Sequence, residues 1–426
     1  MQRIKSSARG NVLADLLMPA SRSACYNKAM RAKLIRFLAP AAIAAGFILP
    51  TSIVAQAQPL PANIVTARAQ TASPQAIAEY RRKLQIYLAA REAFNAEAGA
   101  YWEAISEKRR ARFAKRRHGQ RIALEDYVLT QPPLYDGPKR PVNPEPDETE
   151  PRERKPIPVV ADFLQAAREY YQFVPTRPAH EMDFKRAYAR TAIAMGLTRE
   201  QAVRVYSFET GGNGHHDMQS GLSSGRPGAK AISTAVGYNQ LLTTNTLNLV
   251  AEQGNGILKA LQEKAARLSG AQRHAMEHKI AVFRKMLAFA RSVPNSWSEH
   301  SKLGATPRGW GVHALVLDVD IGPLLQTHKL LTSVIFARTK GYHKPLTAAE
   351  LEMMNLTGDG TGFDMVTMPQ AYRERVPTSN FFQRNGYERN PVAIRHNTVA
   401  KLLAITDERM DVNSAKPGAR ELAAAF

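Results

Sequence analysis

Apolar residues recur from Ser73 to His118 in alternating steps of three and four: Ile77, Tyr80, Leu84, Tyr87, Phe94, Ala98, Tyr101 and Ile105, with Arg91 filling one step. This spacing predicts a single helix of about 45 residues, roughly 65 Å long. Pro74 suits its first position. Such a stripe packs against a partner helix, or forms a dimer seam. From Gln131 to Pro158 the pattern dissolves into proline and charge (QPPLYDGPKRPVNPEPDETEPRERKPIP), which reads as a linker or an extended strap. Helical periodicity returns over Val160–Phe173, Asp183–Met195, Thr198–Thr210, Leu247–Leu268 and Ala271–Val293. Pro294 to Gly309 reads as a polar loop. Val312–Arg338 is helical again, interrupted near Gly322-Pro323. Thr347 and Glu350 form a capping box for a helix through Asn355. Asn390-Pro391 opens the last helix, and the chain from about Asn413 reads as loose. The two-residue alternation of strands is nearly absent, so the expected fold is mainly α. Five segments are expected: 1–57 as a presequence, 58–130 as a long helical region, 131–158 as the linker, 159–412 as a helical domain and 413–426 as a tail.

One carboxylate stands out from this pattern. Thr198 and Gln201 make a capping box, and Ala202, Val205 and Glu209 then share a face. Glu209 is therefore aimed at apolar neighbours, and Gly211-Gly212 stops the helix just after it. Desolvation and the negative end of the helix dipole both disfavour its charge, which suits a proton donor. The plainer alternative is a helix-end glutamate that reaches solvent or pairs with an arginine.

The formal charge of +21 over 426 residues calls for an anionic partner: nucleic acid, a membrane surface or an acidic polymer. No zinc-finger or aromatic RNA-binding signature is present. Lys33 and Arg36 precede the apolar run Phe37–Leu49, and Ala55-Gln56-Ala57 offers a small-residue cleavage site. This is the layout of a secretory signal peptide, with Met30 as its compact start and Gln58 as the expected mature terminus. The run is too short to span a bilayer, which takes about 20 residues. The single cysteine, Cys25, lies upstream of the cut, so the mature chain offers no thiol chemistry and no disulfide. It keeps a charge of about +14. The densest basic run, Lys108–Arg117 (KRRARFAKRR), reads as a solvated face or a hold on an anionic envelope surface.

Other candidate chemistry lies close to Glu209 in sequence. Asp217 is the nearby acid that could serve as a second carboxylate; otherwise it caps its own glycine-rich loop. His215 and His216 are adjacent, and adjacent side chains rarely share one ion. No ligand spacing such as H-E-x-x-H accompanies them, so neither metal nor cofactor is called for. Asp359, Thr361 and Asp364 loosely imitate a calcium loop but lack the bidentate glutamate at its twelfth position, which favours a turn.

Glu209-Thr210, a polar glycine-rich loop and then Gly237-Tyr238-Asn239-Gln240 together resemble the lytic transglycosylase and goose-type lysozyme superfamily. There an acid at a helix end is followed by a G-x-x-Q segment opening the next helix. Asn355, in MNLTGDGTG, looks like a degenerate form of the family's later Tyr-Asn-Ala-Gly motif, and Asp320–Leu331 sits where its Asn-Ile-x-x-G element usually lies. The resemblance covers about residues 180–370. It departs from the pattern in a longer loop and in Tyr238-Asn239, where the family carries a more apolar pair. The resemblance implies a lysozyme-like helical catalytic domain that cleaves the MurNAc–GlcNAc bond of peptidoglycan glycan strands. Glu209 would be the general acid and base, and Thr210, Gly237, Tyr238, Asn239, Gln240 and Asn355 would line the sugar site. It also implies a secreted or periplasmic bacterial enzyme with no nucleic-acid partner and no spanning helix. Two alternatives stay open. One is a hydrolytic muramidase using Asp217, whose carboxyl would have to lie about 6.5–9.5 Å from Glu209 for inverting hydrolysis. The other is a non-catalytic wall-binding scaffold that docks a protein through residues 73–118.

Overall fold

In the computed structural model, which describes residues 72–145, 156–222 and 228–426, every regular element is helical. The presequence 1–57 with its signal peptide, Cys25 and Met30 lies outside the described residues, as do residues 146–155 of the proline-rich stretch. The chain runs α1 (Pro74–Arg117), α2 (Val160–Tyr171), α3 (Glu181–Ala194), α4 (Arg199–Thr210), α5 (Thr243–Ala266), α6 (Gly270–Ala290), α7 (Trp297–Gly304) and α8 (Pro307–His313). It continues through α9 (Gly322–Thr339), α10 (Ala348–Thr357), α11 (Asp359–Val366), α12 (Gln370–Arg373), α13 (Arg384–Glu388), α14 (Pro391–Arg395), α15 (Val399–Ser414) and α16 (Pro417–Ala424). Among the described residues no helix is long and apolar enough to cross a membrane.

Two apolar cores share this scaffold. One gathers Phe163, Leu247, Ile257, Phe283, Val312 and Leu325 from α2, α5, α6, α8 and the start of α9. The other gathers Ile105, Tyr188, Val205, Leu330, Leu351 and Leu402 from α1, α3, α4, α9, α10 and α15. Helix α9 belongs to both, with Leu325 in the first and Leu330 and Val334 in the second. Burying each such side chain contributes about 1.5–3 kcal/mol, so α9 is held firmly along its length. Lys329 lies on α9 between these two sets of anchors.

The basic end of α1 is turned inward, against the expectation of a solvated or envelope-binding face. Arg112 has no exposed surface and gives Nε to Asp364 at 2.7 Å. Its guanidinium also reaches the Asp126 carbonyl at 2.9 Å and lies 4.3 Å above the Tyr127 ring. Asp364 further accepts from the Tyr127 hydroxyl at 2.9 Å and pairs with Arg116 at 2.6 Å. Arg109 donates to the carbonyls of Asn380 and Phe382. These bonds bolt α1 onto α11 and the segment after α12, so α1 does not stand apart from the helical domain.

The start of the proline-rich stretch lies as a strap against α1: Tyr135 packs edge-on against Phe94 and sits under Arg91. Two further expectations change. The polar stretch 294–309 holds α7 and α8, capped by Ser296 and Thr306, each accepting from an amide three residues on. The tail expected to be loose forms α16, which buries Ala419 and Leu422 and pairs Glu421 with the buried Lys185.

Candidate functional site

The end of α4 places Glu209. Thr198 Oγ1 accepts from Gln201 N at 3.1 Å while Gln201 Oε1 accepts from Thr198 N at 3.1 Å, closing the capping box at the other end. Ala202 and Val205 are fully buried on the Glu209 face, and Gly211 ends the helix at φ +67°. Part of Glu209 stays accessible, while its carboxyl is densely enclosed by protein. Burial and then the neighbouring Glu352 carboxyl raise it well above the ordinary 4.5, and the Lys329 ammonium only partly opposes them. The result is an acid that holds its proton.

Glu352 comes from α10, whose capping box of Thr347 and Glu350 forms as expected from the sequence. It is fully buried among Leu351, Met353 and Met354, and burial raises its carboxyl as well. No amide, hydroxyl or ammonium donor completes a hydrogen bond to either of its oxygens. Asn355 lies three residues on, on the same face, close enough to act on the Glu352 carboxyl. Its amide nitrogen is also buried without a partner. Buried polar groups are normally paired, so these orphans beside Glu209 make the place the candidate site. Lys329 acts on Asp359 too, whose carboxyl accepts from Ser333 Oγ at 2.6 Å and is raised by burial. The site therefore consists of Glu209, Glu352, Asn355 and Lys329, with Asp359 at its margin. Asp359 opens α11, where the calcium-like spacing had suggested a turn.

Reading the sequence missed Glu352. Its signal was present: a lone acid inside the apolar run of α10, one helical turn before Asn355.

The G-x-x-Q segment is placed differently from its expected role. Helix α5 begins at Thr243, and residues 237–240 form a tight turn between Val236 and Leu241, whose amides and carbonyls pair at 3.0 Å. The side chains of this turn hold the protein together. Tyr238 donates to Glu181 at 2.5 Å, and Asn239 donates to the Gln326 carbonyl at 2.7 Å and to the Tyr188 hydroxyl at 3.1 Å. Gln240, at φ +42°, donates back to the Gly237 carbonyl at 2.7 Å. Thr210 likewise spends its hydroxyl on the Tyr206 carbonyl at 2.7 Å. These donors are therefore not offered to a ligand. Gly237 matters through its backbone: at φ +87°, an added Cβ would lie 2.0 Å from Gln326 Nε2. Gly237→Ala should cost about 1–3 kcal/mol from the clash and the strained φ. Thermal unfolding should show the lower midpoint, and activity per folded molecule should be unchanged.

Asp217 pairs with Arg177 and is not among the groups acting on Glu209. His216 is engaged on both sides, with Nδ1 on Glu181 at 2.8 Å and Nε2 accepting from Arg177 Nε at 3.1 Å. Set against protein-family models, curated proteins and solved structures, the chain matches none.

Proposed function

We propose that this protein cleaves the MurNAc–GlcNAc glycosidic bond of peptidoglycan, with Glu209 as its general acid and then its base, as a secreted lytic transglycosylase. The observation that carries the reading is Glu209 itself: a half-buried residue at a helix end whose carboxyl proton is held by burial and by Glu352. Cleaving a glycosidic bond needs such a proton, because an alkoxide leaves poorly from an oxocarbenium-like transition state. Asn355 and the G-x-x-Q turn keep the order of the family's elements, and Asn355 lies beside the acid. The turn's part is structural, since its side chains are bonded to α3, α9 and the turn itself.

The proton balance closes with one carboxyl. Glu209 gives its proton to the glycosidic oxygen, which leaves C1 with the bonding pair. The C6 hydroxyl of the same muramyl residue then attacks C1, and its proton returns to Glu209. The product is a 1,6-anhydromuramyl end, and the enzyme is restored. Hydrolysis by an inverting route would need a second carboxylate to activate water. Asp217 is held by Arg177, and Glu352 has no accessible surface from which to reach a water above the sugar. The basic charge suits anionic envelope polymers, although within the run 108–117 Arg109 and Arg112 are bonded into the fold and Arg110 and Arg117 are the arginines left exposed.

Mass spectrometry of the soluble products from purified sacculi tests the reaction type. Transglycosylation gives muropeptides one water lighter than hydrolysis does. Reducing muramic acid ends as the sole product would transfer the protein to the muramidases.

A further inference from the structure

We propose that Glu352 is a positioning residue that shares one proton with Glu209 and thereby governs when Glu209 releases it to a substrate and reclaims it. The inference rests on the reading of Glu209 as the candidate acid. It stands first on geometry. Glu352 is fully buried on α10, so it cannot touch a glycan. Both its oxygens lack a completed bond from any amide, hydroxyl or ammonium. A buried carboxylate in that condition is costly, and the donors beside it are the Asn355 amide and the carboxyl proton of Glu209, of which only the second can be transferred. The two residues press on each other in opposite senses: Glu352 raises Glu209, while its hydrogen bond with Glu209 lowers Glu352. Both senses fit a proton that resides on Glu209 and points at Glu352.

Other charges facing this pair are few. Lys329 comes from α9 and acts on both acids. The acids of α15 nearest α4, Asp407 and Asp411, are taken by Arg204, and Glu421 of α16 is taken by Lys185. On α3, Glu181 is held by His216 and Tyr238. From α11, Asp359 shares the same Lys329, so the pair is a carboxyl couple with one cation that a third buried acid also draws on, and such couples titrate jointly.

The role follows from the proton's path. When Glu209 has given its proton away, two carboxylates face each other in an enclosed site. Their repulsion makes Glu209 a stronger base for the hydroxyl proton that must come back. Glu352 ends each cycle unchanged and supplies no atom to product.

The test uses the full-length protein as wild type, Glu352→Gln and Glu209→Gln, with Glu352→Met as a second variant suited to the apolar surroundings of α10. Infrared titration follows the protonated carboxyl band without reference to activity. In wild type the band should persist above the ordinary glutamate range, and Glu209→Gln should remove its highest-titrating part, leaving the share of the other buried acids, Glu352, Asp318 and Asp359. In Glu352→Gln its midpoint should fall by about one pH unit, a tenfold change in proton affinity. On glycan, Glu352→Gln should move the alkaline limb of the rate profile downward by a similar amount, lowering kcat while KM holds. Glu352→Asp should restore part of the wild-type profile, which a packing role would not produce. An unchanged band and an unchanged limb in both Glu352 variants would overturn the proposal. Wild type that cleaves no glycan would instead refute the function, and the infrared midpoint alone would then decide the role of Glu352.

Discussion

Glu209→Gln is expected to lower the rate of glycan cleavage roughly 10²–10⁴-fold while the helical circular dichroism stays as it is. The amide is nearly isosteric with the acid and keeps a donor toward Glu352, but it has no proton to give to a leaving oxygen. The same substitution should make the protein more stable at neutral pH. Because the folded chain raises Glu209 well above 4.5, it binds this proton more tightly than the unfolded chain does. Folding stability from this group is therefore complete at acid pH and is lost as pH rises from the ordinary value toward the raised one. Glutamine does not titrate, so the loss is absent in the variant. Each ~1 kcal/mol recovered should lift the Tm by about 2–4 °C at pH 7, and the gain should shrink toward pH 4. Paired loss of activity and gain of stability is the signature of a site kept for chemistry at the expense of folding.

Asp364→Ala is expected to be the most damaging single change to the fold, at about 3–5 kcal/mol. The fully buried Arg112 would lose its counter-ion, Arg116 its ion pair, and the Tyr127 hydroxyl its acceptor. Water cannot replace them at Arg112, which has no exposed surface. Denaturant unfolding should show a lower midpoint with little change in slope, since the surface exposed on unfolding is nearly the same. A cost below about 1 kcal/mol would mean that the basic end of α1 is solvated after all.

These two residues differ in how plainly the sequence announced them. Glu209 was legible because everything that places it is local: the Thr198–Gln201 capping box, the spacing of Ala202 and Val205, and the stop at Gly211. Helix α10 was legible for the same reason, through Thr347 and Glu350. Asp364 was not, because what buries it comes from another part of the chain. A basic run is a solvated face until an acid and several carbonyls are brought to it, and here α11 and the segment after α12 do so. Glu352 was hidden by a different effect. Its acid character broke the apolar run of α10, but only tertiary packing puts α10 against the end of α4.

The G-x-x-Q turn misled in the opposite direction. Four residues with hydrogen-bonding potential after an acid look like a sugar site. A turn of that shape buried between α3 and α9 spends its polar side chains inside the protein: Gln240 on its own Gly237 carbonyl, Asn239 on the Gln326 carbonyl and Tyr238 on Glu181. Helices α7 and α8 were overlooked because they are short and polar, yet Ser296 with Glu299 and Thr306 with Pro307 were their start signals.

The central claim, that Glu209 is the acid of a peptidoglycan-cleaving site, is tested most directly by timed digestion of purified sacculi with wild type and Glu209→Gln side by side. The account predicts soluble muropeptides with 1,6-anhydromuramyl ends from wild type and almost none from the variant. Equal release by both proteins, or intact sacculi with folded wild type, would contradict it.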